Sequence, residues 1–234
     1  MTENKKENLN NRMIKFLFEG APVRGACVQM AEEWQEMIKF HHYPENVAAL
    51  LGQFTAGALL LSSTIKFEGS LILQVKGSGP IAFIYAEVRN PMSVRAMAEI
   101  REGAEIKPEM DLQELINKDG KGLCALILDP KDRRPGVQPY QGMVSLESNS
   151  VAENLENYMA KSEQLETKLY LAADCKKLGG LVIQKMPSVG GNVSEISDPD
   201  AWGRIMQLAH TVTKEELLNV PATDVLHRLF WQEK

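Results

Sequence analysis

The chain has 234 residues, of which 44% are hydrophobic and 24% charged, a composition typical of a globular protein that can bury a substantial core. Its formal net charge of −5 and sequence pI near 5.5 exclude the clustered Lys and Arg of a broad nucleic-acid interface. The three cysteines are widely separated and form no C-x-x-C pair, which excludes a disulfide framework.

The N-terminal segment 1–12 is polar and lacks the apolar stretch of a secretory signal, so we expect a disordered tail on a cytoplasmic protein. Alternating apolar and polar residues then predict strands over Met13–Phe18 and Val23–Met30. A short helix over Ala31–Phe40 follows, with its apolar residues at helical spacing.

The next stretch predicts a central helix around which the chain is organised. Apolar residues recur at helical spacing along it: Val47, Leu50, Leu51, Phe54, Ala58, Leu61 and Ile65. Small residues such as Gly52 and Gly57 occupy the opposite side, where other elements can approach closely. The uncharged stretch is long enough to span a membrane, but its Gln, Thr and Ser residues and the strands that follow favour a buried core helix. We therefore expect no membrane partner.

Alternating short segments after the central helix predict further strands. Leu71–Lys76 and Ile81–Val88 flank a Gly-Ser-Gly-Pro turn and read as a hairpin. Additional strands are predicted over Met92–Ala98, Leu123–Leu128, Tyr140–Leu146, Leu165–Ala172 and Leu181–Gln184, with Gly179-Gly180 separating the last two. Helices are predicted over Leu112–Ile116 and Val151–Lys161, and Ser150 with Glu153 predicts a capping box for the second.

This order of elements favours an α+β fold, a mixed and mainly antiparallel sheet domain around a central buried helix, over residues 13–186. Pro- and Gly-containing sequence then marks the start of a helical linker region, 187–234. Its apolar side chains need a partner to bury against: Trp202, Ile205, Met206, Leu208, Leu226, Leu229 and Phe230. That partner could be the core's own sheet, a second subunit or another protein.

Cys27, Cys124 and Cys175 each lie in an apolar stretch. We interpret them as small buried hydrophobic residues, with a reactive thiol as the alternative. The sequence contains 11 methionines, whose flexible side chains suit core filling and also surfaces that accept varied partners.

The strongest catalytic pattern is Ser63-x-x-Lys66, which places a serine one helical turn from a lysine. The S-D-N and K-T-G elements of such sites are missing from the sequence, as are H-E-x-x-H, G-x-S-x-G and Walker motifs. The adjacent His41 and His42 cannot share one face of a helix or strand, which favours a solvated helix end. We therefore predict that the chain is not an enzyme and has no catalytic, cofactor-binding or metal-binding residues.

Several motifs in one order resemble the 33 kDa chaperonin family of redox-regulated heat-shock holdases. They are Val23-Arg24-Gly25, Tyr43-Pro44, Leu50-Leu51-Gly52, Lys66-Phe67-Glu68-Gly69, Gly77-Ser78-Gly79-Pro80, Tyr140-Gln141-Gly142-Met143-Val144, Lys161-Ser162-Glu163-Gln164 and Gly179-Gly180-Leu181. The resemblance runs from Met13 to Phe230. It implies an ATP-independent chaperone that binds unfolding proteins and prevents their aggregation.

In that family a C-terminal zinc domain carries C-x-C followed by C-x-x-C ligands, and its oxidation destabilises the linker and exposes apolar surface. This sequence contains no such ligands, so we expect zinc in the intact family protein but no cofactor here. The 26.1 kDa chain is read as the core plus linker without the redox-switch domain, and we expect that peroxide cannot switch it.

The sequence thus predicts a holdase with unfolded client proteins as partners, and a homodimer that can exchange linker helices by domain swapping. The alternatives left open are a serine/lysine-type hydrolase using Ser63 and Lys66, and a passive oligomeric scaffold.

Overall fold

A computed structural model describes residues 11–65, 67–89, 93–132, 138–186, 198 and 200–233. The strands are β1 (Arg12–Leu17), β2 (Val23–Met30), β3 (Gly69–Lys76), β4 (Ile81–Arg89), β5 (Ser93–Ile100), β6 (Leu123–Pro130), β7 (Tyr140–Ser145), β8 (Thr167–Ala173) and β9 (Leu178–Lys185). The helices are α1 (Glu32–Ile38), α2 (Glu45–Thr64), α3 (Leu112–Ile116), α4 (Val151–Lys161), α5 (Ala201–Ala209), α6 (Lys214–Asn219) and α7 (Ala222–Phe230).

The described strands form two sheets. One is four-stranded in the order β1-β2-β9-β8, and the other is five-stranded in the order β5-β4-β3-β6-β7. All pairings between described strands are antiparallel. The α+β prediction is confirmed, and the sheets contain no parallel pair within the described residues.

The central helix α2 lies between the two sheets, contacting β2, β8 and β9 on one side and β3, β4 and β5 on the other. Gly52 and Gly57 allow this close packing, because a Cβ atom at Gly52 would lie 2.4 Å from Cβ of Ala173 and one at Gly57 would lie 2.7 Å from Leu155. By length and hydropathy α2 could cross a membrane, yet 78% of its most apolar window is buried inside the fold. It is therefore the core helix that the sequence predicts.

Two local predictions are wrong. Gly179 and Gly180 do not separate β8 from β9; both lie inside β9, and the chain turns at residues 174–177 instead. Glycine is required there because a Cβ atom would lie 2.2 Å from the Leu217 carbonyl oxygen at Gly179 and 2.8 Å from Leu60 at Gly180. At α4, Ser150 accepts from the Glu153 N–H as predicted, but the Glu153 carboxylate accepts from the Ser148 hydroxyl, so the capping box is only half formed.

Helices α5, α6 and α7 pack on the four-stranded sheet on the face opposite α2. Apart from Asp198, the predicted linker segment before Asp200 lies outside the described residues. The predicted tail is described only at Asn11 and Arg12, and Arg12 already pairs with Gln29 in the sheet.

Candidate functional site: an apolar sheet face beneath three helices

One face of the four-stranded sheet is apolar and is turned away from α2; we refer to it as the platform. Strand alternation places every second residue on it. The platform side chains that share a cluster with the three helices are Ile14, Phe16, Val23, Cys27, Tyr170, Ala172, Leu181 and Ile183. Their sequence neighbours, such as Ala26, Val28 and Val182, belong to the separate core around α2. The sheet thus divides two apolar clusters.

Helices α5–α7, called the helical cover here, bury their apolar faces on the platform. All seven linker residues singled out in the sequence join this cluster. Ile205, Leu229 and Phe230 are fully buried, and the other four, Trp202, Met206, Leu208 and Leu226, are partly buried. Of the three partners that the sequence left open, the described chain uses its own core sheet.

An aromatic cluster anchors the end of α7 on β1. The Phe230 ring lies 5.1 Å from the Phe18 ring in an edge-to-face contact and 5.8 Å from the Phe16 ring, while Phe16 and Phe18 are 5.5 Å apart. Aromatic pairs in this distance range add a favourable term to simple area burial. Phe230 is therefore a strong apolar contact of the cover.

Polar contacts on the cover are mostly exposed, with one buried exception. Arg204 pairs with Asp198 and Glu233, and Arg228 pairs with Glu216, and such surface pairs contribute little to stability. The exception is Gln29 on β2, whose side-chain amide reaches the corner between α6 and α7. Gln29 was not predicted from the sequence, because nothing local marks a polar residue in a strand as a contact of a helix about 190 positions later.

Leu217 and Val225 are also buried in the cover. Val225 shares helical spacing with Leu226, Leu229 and Phe230, which already indicated an apolar helix face there, whereas Leu217 was not identified from the sequence. Leu217 belongs to α6, whose start carries a complete capping box between Thr213 and Glu216. That T-x-x-E pattern could have predicted the helix.

The three cysteines lie in different surroundings. Burial raises the pKa of Cys27 on the platform and of Cys124 in the α2 core to about 12. Cys175 is partly buried, and burial together with the charges of Glu45 and Asp174 raises the pKa of its thiol. Within the described residues, no three His, Cys, Asp or Glu side chains come together as metal ligands. The raised pKa values keep these thiols protonated at neutral pH.

The Ser63 pattern gains no support from the geometry. The Ser63 hydroxyl donates to the Leu60 carbonyl oxygen at 2.6 Å within α2, and Lys66 lies outside the described residues. His41 and His42 are both exposed just after α1, in agreement with a solvated helix end.

Several large apolar side chains are also exposed on the outer face of the five-stranded sheet. Met97, Leu123 and Met143 are 40–49% exposed there, while Met30 is buried in the core. Methionines in this chain thus serve both as core filling and as exposed surface.

The chain matches the Hsp33 protein family model over residues 11–234. The 33 kDa chaperonin of Methylobacillus flagellatus is 38% identical over 226 residues, which cover 96% of this chain and 73% of the relative. The 33 kDa chaperonin of Neisseria gonorrhoeae is 40% identical over 223 residues, covering 95% and 70%.

The fold also matches a crystal structure of the 33 kDa chaperonin (heat shock protein 33 homolog) of Thermotoga maritima. The TM-score is 0.72 over 95% of this chain and 76% of that chain, at 20% sequence identity. At that identity the likeness concerns the fold alone, whereas the family match and the curated relatives cover nearly the whole chain at higher identity. The chain therefore belongs to the Hsp33 protein family, whose curated relatives are named as chaperonins and which is not a family of enzymes.

Proposed function

We propose that the chain is an ATP-independent holdase whose platform receives unfolding client proteins when the helical cover leaves it. The observation that carries the proposal is the burial of a complete apolar sheet face by three short helices. Removing them would expose a contiguous apolar surface, and surfaces of that kind bind other proteins. The family name of the relatives supports a chaperone role.

The cover is suited to reversible docking. Its helices are only nine, six and nine residues long, and isolated helices of that length are marginal in water. They depend on the platform for their structure, so undocking and local unfolding go together. The core around α2 does not depend on the cover, because its apolar cluster is separate.

A charge placed under the cover tests this function. Val225 on α7 is 1% exposed, so Val225→Asp places an unpaired carboxylate against the platform, which costs several kcal/mol in the docked state. The control is His227→Asp, an exposed position on the same helix. Aggregation of a heat-unfolded client is followed by light scattering for both variants and the parent chain.

The proposal expects Val225→Asp to suppress aggregation at a lower molar ratio than the parent, and His227→Asp to match the parent. A form ending near Met186, which lacks the cover, should behave like Val225→Asp. Failure of both Val225→Asp and this form to protect the client, with the core still folded by circular dichroism, would reject the holdase and favour a passive scaffold.

Redox regulation and zinc belong to the proposal for the intact family protein. They would require cysteines other than Cys27, Cys124 and Cys175, which lie apart and have raised thiol pKa values.

We also propose a homodimer whose subunits can exchange helical covers. The support is the Pro- and Gly-containing sequence between Met186 and Asp200, a connection of the kind that allows domain swapping. In the single chain the cover docks on its own platform. Sedimentation at several concentrations should give a dimer, and a monomer throughout would count against exchange.

A further inference from the structure

Gln29 is a buried polar side chain on a mainly apolar sheet face. It lies on β2 two residues after Cys27, and it is only 4% exposed. A primary amide buried in such surroundings is costly unless its donors and acceptor are paired. The partners of Gln29 therefore show what the position is built to hold.

All the partners of this amide belong to the corner between α6 and α7. Its Nε2 donates to the carbonyl oxygens of Leu217 at 2.9 Å and Val220 at 2.7 Å. Its Oε1 accepts from the Ala222 backbone N–H at 2.9 Å. One side chain thus binds three backbone groups of a segment about 190 residues away.

These backbone groups have no partner within their own helices. Carbonyls at the end of one helix and N–H groups at the start of the next are left unpaired by helix geometry. Leu217 and Val220 lie at the end of α6, and Ala222 is the first residue of α7. Gln29 therefore caps both helices at once from the sheet beneath them.

Gly179 provides a second contact between the sheet and this corner. It pairs with Gln29 across β2 and β9, and a Cβ atom on it would lie 2.2 Å from the Leu217 carbonyl oxygen. A backbone oxygen can approach the sheet this closely only over glycine. We refer to Gln29 and Gly179 together as the corner socket.

We propose that the corner socket is the latch of the helical cover, so that Gln29 acts as a positioning residue that sets how often the platform is exposed. The consequence for clients rests on the proposed function, but the latch itself does not. Undocking transfers the amide and the three backbone groups to water, which satisfies all of them. Loss of Gln29 instead leaves the three backbone groups unpaired in the docked state only, so it destabilises docking selectively.

The alkylation rates of two cysteines provide a direct measure of cover opening. Cys27 lies on the platform beneath the cover, whereas Cys124 lies in the α2 core. Opening of the cover exposes Cys27 alone, and unfolding of the whole domain exposes both. The ratio of their alkylation rates, measured by mass spectrometry with iodoacetamide on the full chain, therefore isolates cover opening from global unfolding.

Two variants break the socket and one serves as a matched control. Gln29→Leu removes the amide, and Gly179→Ala keeps the amide but pushes the Leu217 carbonyl away. Gln184→Leu makes the same chemical change at a fully buried glutamine on β9, whose partners are Thr167 and Arg24. Gln184 faces the α2 side of the sheet, so it controls for general loss of stability in this sheet.

We expect Gln29→Leu and Gly179→Ala to raise the Cys27 to Cys124 rate ratio on the order of tenfold, since leaving buried backbone groups unpaired has an effect of that size. Gln184→Leu should leave the ratio near that of the parent. An unchanged ratio in Gln29→Leu would overturn the latch; if that variant does not fold, an unchanged ratio in Gly179→Ala would do so. A raised ratio without better client protection would keep the latch and reject the proposed function.

Discussion

Glu87 is a carboxylate held in its charged form inside the five-stranded sheet. It is 4% exposed, and burial alone would raise its pKa. Hydrogen bonds from Arg89, Ser70 and Tyr85 outweigh burial and lower the pKa below its usual value. The Arg89 Nε lies 2.7 Å from one carboxylate oxygen, and the Tyr85 hydroxyl lies 3.1 Å from the other.

This lowered pKa predicts a loss of stability in acid. The unfolded chain titrates this Glu near pH 4.3, so its contribution is fully present above about pH 4.3 and is lost as the pH falls through the lowered folded value. Glu87→Gln should cost about 1–3 kcal/mol at pH 7, and its difference from the parent should shrink towards pH 3. Urea unfolding at several pH values measures this, with Glu99→Gln as an exposed control on the neighbouring strand. A difference that stays constant from pH 7 to pH 3 would contradict the assignment.

At single positions, the role of a residue can be predicted from the sequence where it depends on residues nearby in the chain. Cys27 and Cys124 are buried small residues as predicted, and the apolar stretches around them were sufficient to show it. Gly179 was wrongly placed between two strands, because the contact that requires glycine there, with the Leu217 carbonyl oxygen, comes from a helix about 40 positions later in the chain. A longer separation, about 190 positions, hid the contacts of Gln29.

At the scale of elements, helices with clear periodicity were predicted closely. The bounds of α3 and α4 agree with the prediction, and the strands agree to within three residues. The seven apolar residues of the linker region were also identified from helical spacing. Spacing shows that a face must be covered but not by which surface, so only the structure assigns these residues to the platform.

The helix α5 contains a glycine that no close packing contact requires. Gly203 lies within α5, and a Cβ atom there would meet nothing within 4 Å. Because glycine inside a helix costs about 1 kcal/mol relative to alanine, Gly203→Ala should stabilise α5 and hence the docked cover.

We expect Gly203→Ala to slow Cys27 alkylation by roughly fivefold, the factor that corresponds to about 1 kcal/mol, and to reduce client protection. Gly103→Ala is the control, since a Cβ atom there also meets nothing, but Gly103 lies in a turn of the core at φ +72°. An unchanged rate of Cys27 alkylation in Gly203→Ala would show that α5 does not take part in the opening.

At the scale of the whole molecule, the four-stranded sheet separates two apolar clusters, one around α2 and one beneath the cover. The apolar cluster around α2 lies between the two sheets and contains no residue of α5–α7. Within the described residues, the platform cluster is closed mainly by the cover. Under the proposed function, this division would allow apolar surface to be exposed without unfolding the α2 core. The sequence predicted the two regions but not the sheet that lies between their cores, because pairing of β2 with β9 joins residues about 150 to 160 positions apart.

The same architecture predicts how the chain responds to peroxide. Peroxide reacts with thiolates, and a thiol with a pKa of about 12, as for Cys27 and Cys124, is ionised at pH 7 to roughly one part in 10⁵. Client protection by this chain should therefore be equal with and without peroxide, in a light-scattering assay run on the same preparation. Cys175→Ser removes the most accessible thiol and should change nothing.

Exposed Met97 and Met143 can form sulfoxides, which dithiothreitol does not reverse. A large gain in protection that peroxide produces and dithiothreitol reverses would show that these cysteines do switch the chain, and the prediction would be wrong.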